Sequence, residues 1–103
     1  MIVEISAEAE HDLEAIGDYI AAENPVRAIS FVRELRAKCL ALAELPLRFP
    51  LVARYEPEGV RHRTHKNYLI FYRVARDRIV VLHVLHGATD YATILFPESD
   101  EPS

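Results

Sequence analysis

The spacing of apolar residues changes once along this chain, from helical in the first half to strand-like in the second. Ile2 to Ile5 alternate weakly and predict a short strand. Ala9, Leu13, Ile16 and Ile20 fall at i, i+4, i+7 and i+11, a single apolar stripe, and predict a helix over about 7–23. Ser6 is placed to cap it, with Glu8 and Glu10 in the first turn, where carboxylates suit the positive end of the helix dipole. Asn24-Pro25 marks the next boundary, with Asn as N-cap and Pro at the first helical position, whose N–H has no helical partner to lose. Ala28, Val32, Leu35, Cys39 and Leu42 give the inner face of a second helix that runs to about 44 and ends at Leu45-Pro46. So short a corner between them predicts an antiparallel helical hairpin.

Residues 45–58 carry Pro46, Pro50 and Pro57 but also Leu47, Phe49, Leu51 and Val52, so this loop is expected to pack on the domain. Val60 to Lys66 predicts a charged strand. Tyr68–Ala75 and Ile79–His86 predict two strong strands about a turn at Arg76-Asp77. Simple alternation puts Ile79, Val81 and Leu85 on one side, and Val80, Leu82 and Val84 on the other. It also makes His83, in line with Val81 and Leu85, a packed core histidine. A strand apolar on both faces is covered on both faces. The helical hairpin covers one; the other falls to the tail, the 45–58 loop or a partner. Asp90 is placed to cap a last short helix, Tyr91–Phe96, stopped by Pro97, and 98–103 are expected to be disordered, leaving one domain over 1–97. The implied fold class is α+β: a short N-terminal strand, an antiparallel helical hairpin, a three-stranded antiparallel C-terminal sheet and a short terminal helix.

Composition changes this picture at a few points. A chain of 103 residues, half of them apolar, makes one modest core that buries roughly 60–70% of its unfolded surface. The lone cysteine, Cys39, forbids an internal disulfide, and its apolar neighbours make it a buried structural thiol. No run approaches the roughly 20 apolar residues of a membrane span, and the amino terminus lacks a signal pattern, so the expected compartment is the cytoplasm. The net charge of −4 is segregated. Residues 1–24 carry seven acids and no Lys or Arg, whereas residues 58–90 carry six Lys or Arg against three acids. That basic stretch suits an anionic protein partner, while the overall acidity weighs against direct nucleic-acid binding. Asp12, Glu14 and Asp18, off the apolar stripe, are expected to be solvated. His83 and His86 face opposite ways and Cys39 lies in a helix, so no metal site and no cofactor are expected.

The order of elements, with Asn67–Val74 reading NYLIFYRV and Ile79–Tyr91 reading IVVLHVLHGATDY, resembles the ParE/RelE superfamily of bacterial type II toxins. The resemblance spans about residues 2–96 and includes Ile5-Ser6, Tyr19-Ile20, Asn24-Pro25, Ala28, Phe31 and the segment Leu45–Pro50. It implies one of two activities. The RelE-like branch cuts messenger RNA on the ribosome. The ParE-like branch is associated with poisoning of DNA gyrase and is neutralised by a ParD-like antitoxin. RNA cleavage needs a general base and cations around a crowded phosphorane. Where RelE-like nucleases often carry an arginine after the first Tyr of this strand, the chain has Leu69. Where the terminal H-G-x-R motif has its arginine, it has Thr89. The resemblance therefore points to a ParE-like toxin that binds rather than cuts.

Arg61, Arg63, Lys66, Arg73, Arg76, Arg78, Tyr72, His86 and Asp90 are the candidate contacts for an antitoxin or a target. Arg61 and Arg63 share a strand face that His65 continues, and Tyr68 and Tyr72 share another, where sheet packing competes with recognition. Two alternatives stay open. A ribonuclease would draw on His86, His65 and Arg73, although His62 and His65, three apart, face opposite ways. A weakly toxic remnant that only binds its antitoxin would trace its lesion to Thr89.

Overall fold

The computed structural model describes residues 1–97; the tail expected to be disordered, 98–103, lies outside the described residues. A four-stranded sheet carries a helical hairpin on one face. Its elements are β1 (Ile2–Ile5), α1 (Ala7–Ala21), α2 (Pro25–Leu40), β2 (Val60–His65), β3 (Tyr68–Val74), β4 (Arg78–His86) and α3 (Tyr91–Leu95), with single 3-10 turns at Ala41–Ala43 and Glu56–Glu58. The strand order is β1-β4-β3-β2. β1 lies parallel to β4 at the edge, while β2, β3 and β4 form the expected antiparallel meander. The N-terminal strand thus completes the C-terminal sheet.

Both helices start where their caps place them. Ser6 Oγ accepts from Ala9 N–H at 3.0 Å and also donates to Leu82 O at 3.1 Å, so one hydroxyl caps α1 and fixes it to the sheet. Asn24 Oδ1 accepts from Arg27 N–H at 3.0 Å, with Pro25 in the first turn of α2. The inner faces carry Ala9, Leu13 and Ile16 from α1 and Ala28, Phe31, Leu35 and Cys39 from α2. Phe31 takes the buried place that periodicity gave to Val32, which lies at the border beside α1. Burial pushes the Cys39 thiol up to about 11, so the thiol is packed and unreactive.

A β-bulge at Leu82 corrects the expected facing of β4. Tyr72 pairs with Val81 and Phe71 with His83, leaving Leu82 as the extra residue. Ile79, Val81 and Val84 therefore point under the helices with Ile70 and Tyr72, whereas Leu82 and Leu85 join Leu69 and Phe71 on the other face. His83 leaves the core for the sheet edge. There Asp12, expected to be solvated, meets it: Asp12 Oδ2 accepts from His83 Nδ1 at 2.8 Å and from Val84 N–H at 2.9 Å.

The second sheet face is covered by the 45–58 loop together with α3 and Phe96. Val52, Val60, Phe71 and Phe96 are buried there, and Tyr55 stacks on Phe96 at 4.2 Å and 10°. The loop also extends the sheet past β2, through Val52 N–H to Val60 O and His62 N–H to Pro50 O. This removes the sheet's second face as unpaired apolar surface for a partner. Asp90 precedes α3, yet its carboxylate accepts from the Thr93 hydroxyl at 2.8 Å and caps no backbone N–H.

Candidate partner-binding surface

Most of the expected basic contacts are engaged inside the chain. Arg61 donates to Phe49 O at 2.8 Å and Leu47 O at 3.3 Å, pinning the loop. Arg63 donates to Lys38 O at the end of α2 and lies 4.9 Å over the Phe49 ring. Arg73 Nε donates to Glu58 O at 3.2 Å, and Arg78 pairs with Glu4 at 2.8 Å and Asp77 at 3.2 Å. Lys66, at positive φ in the β2–β3 turn, and Arg76, in the β3–β4 turn, stand exposed. Tyr72 is wholly buried and its hydroxyl donates to Pro46 O at 2.6 Å, so it offers a partner no surface. Asp90 and His86 are exposed at the far end of the sheet.

The three residues of the ribonuclease alternative do not converge. His65 and His86 flank Tyr68 on the helix side of the sheet, with Tyr68 edge-on to His86 at 5.2 Å. Arg73 faces the opposite side, near the other end of β3. His65 Nε2 is held by Glu34 at 3.0 Å and its ring packs 5.7 Å from Phe31. Leu69 packs into the second-face cluster, and Thr89 sits in the turn where its N–H donates to His86 O. His62 lies against Phe71 at 6.4 Å; burial holds it below its ordinary pKa, and its buried Nδ1 has no hydrogen-bond partner. Among the described residues, no three of His, Cys, Asp or Glu converge as a metal site.

The open surface lies instead on the outer side of the helical hairpin. A groove of about 890 Å³ runs between α1 and α2, floored by Leu13, Gly17, Ala21, Ala28 and Val32 and flanked by Ile29. Gly17 brings the helices close: a Cβ there would stand 3.3 Å from Val32 Cγ2. Ile29 is 58% exposed and Val26, beside it on α2, is 79% exposed. The rim is charged, with Glu14 and Asp18 on α1 and Arg33 on α2, and at one end Arg36 grips Glu10 through two bonds of 2.8 and 2.9 Å. An apolar floor between charged rims is the geometry that accepts one face of an amphipathic helix. The sequence carries a signal for it. Val26 and Ile29 stand three apart, off the inner stripe, and form a second apolar strip on α2.

Two solved structures share this helical hairpin on a four-stranded sheet. The chain shares its fold with a chain of the chromosomal ParDE system from P. aeruginosa, at a TM-score of 0.74 and 22% identity over 84% of this chain and 95% of that one. It also matches a chain of the RelBE2 toxin–antitoxin complex from Mycobacterium tuberculosis, at 0.63 and 23% over 85% and 92%. No curated protein matches the sequence. Residues 3–91 match the model of the ParE toxin of the type II parDE system, and the chain belongs to that family. Among the described residues, no helix is long and apolar enough to cross a membrane.

Proposed function

We propose that this chain inhibits DNA gyrase by binding, and that a ParD-like antitoxin neutralises it by laying an amphipathic helix in the groove between α1 and α2. The observation that carries this reading is the groove itself, an apolar trough with Ile29 exposed at its side in a chain of the ParE toxin family. Binding rather than cutting is supported by two positions where the RNA-cutting branch often carries a basic residue, although at the second ParE-like sequences often carry an arginine too. Leu69 packs in a cluster of Phe71, Leu85 and Tyr91, and Thr89 carries no charge, so neither supplies a cation to a phosphorane. The separation of Arg73 from His65 and His86 points the same way. Expression of the chain without a partner tests the reading. Filamentation with induction of the DNA-damage response is expected; rapid arrest of translation with cut messages would refute it.

A further inference from the structure

A second surface is open where β1 ends. β1 covers the outer edge of β4 only from Arg78 to Val81, while β4 runs on to His86. The chain turns at Ser6 into α1, which crosses beside the uncovered edge. Ser6 Oγ donates to Leu82 O there, and Asp12 Oδ2 accepts from Val84 N–H and His83 Nδ1. Three recesses of about 310, 230 and 560 Å³ follow one another along this edge. The first two meet at Asp12, and the last two share Tyr19, Tyr68 and His86, so they form one furrow.

Its chemistry changes along its length. At one end stand the carboxylates of Glu8 and Asp12 with the imidazoles of His11 and His83, and neither carboxylate is paired with a Lys or Arg among the described residues. The middle is apolar, walled by Ile16 and Val84. The far end is aromatic and has no carboxylate, Lys or Arg in its lining. Tyr19, 78% exposed, Tyr68 and His86 surround it, and His86 Nδ1 accepts from Ala88 N–H at 3.0 Å. Thr89 also lines this end.

We infer that the furrow docks an extended, basic segment of a partner protein. A Lys or Arg sits beside Glu8 and Asp12, and an aromatic or branched aliphatic side chain sits among Tyr19, Tyr68 and His86. Ser6 and Asp12 already take Leu82 O and Val84 N–H, so the furrow receives an extended chain through its side chains, laid along the length of β4 rather than added to the sheet. A cation is selected because Glu8 and Asp12, the two carboxylates that line the furrow, have no Lys or Arg paired with them among the described residues. His83 and His86 lie three residues apart on β4, about 10 Å at roughly 3.3 Å per residue, so the cation and the anchor stand about three residues apart. The surface is separate from the groove between the helices and rests on neither the gyrase nor the antitoxin reading.

Selection of random peptides displayed on phage against the full chain, followed by subtraction on a Glu8→Gln/Tyr19→Ala variant, tests this. Both side chains are exposed, so the variant keeps the fold, which a superimposable thermal melt by circular dichroism checks. Subtraction removes peptides that use the groove between the helices, which neither residue lines. The survivors are expected to carry a Lys or Arg about three residues from an aromatic or branched aliphatic residue, and to bind the variant about tenfold more weakly. Survivors without a basic residue, or no survivors at all, overturn the proposal.

Discussion

One carboxylate, that of Asp12, closes the open edge of β4 by accepting from Val84 N–H and His83 Nδ1. Its side chain is only 16% exposed, so water replaces it poorly. Asp12→Ala is expected to lower stability by about 1–3 kcal/mol, the cost of a half-buried donor left without a partner, measured by urea unfolding. Glu34 behaves differently. Hydrogen bonds from Arg27 and then His65 hold its carboxyl down at about 2, against an ordinary 4.5. A depressed carboxyl stabilises the fold fully above its unfolded pKa and loses that contribution as pH falls through its folded one. The stability gap between the wild type and Glu34→Gln should therefore stand at pH 7 and close as pH falls from 4.5 to about 2. The group is exposed, so the gap is small. A gap that stays constant to pH 2 contradicts the assignment.

At the scale of elements, the sequence reveals those whose signals are local. Ser6 and Asn24-Pro25 open the helices because capping needs only residues a turn away. The bulge at Leu82 is invisible for a physical reason. Ile79 to Leu82 are four apolar residues in a row, and Val84 and Leu85 resume the run after His83, so either register buries apolar side chains. Only the pairing with β3 decides, and it sends His83 to the edge and Val84 to the core. Asp12 is misread with it, because its partner lies 71 residues away. The groove on the helices is legible through Val26 and Ile29, whereas the basic strand draws attention to Arg61 and Arg63, which are spent on the loop and the end of α2. Ile29→Asp is expected to weaken antitoxin binding by about tenfold or more, as the loss of one aliphatic anchor of roughly 1.5–3 kcal/mol implies. Titration calorimetry measures it, and an unchanged melting temperature separates it from unfolding. Undiminished affinity would remove the groove as the antitoxin's seat.

Across the whole molecule, the order of elements is enough to recover the α+β class and the family, while the parallel pairing of β1 with β4 joins the two ends of the domain and has no local signature. The assembled chain spends Arg61 and Arg63 on its own loop and on the end of α2, and leaves Val26 and Ile29 exposed on the helices. Such a molecule suits recognition of proteins better than cleavage of RNA. The direct test mixes the purified chain with gyrase, supercoiled DNA and ATP, and then denatures the enzyme with detergent. Linear DNA with gyrase covalently attached, accumulating with the amount of chain added, is the predicted result. Intact DNA at every concentration, together with cut messages on ribosomes treated with the same chain, would contradict it.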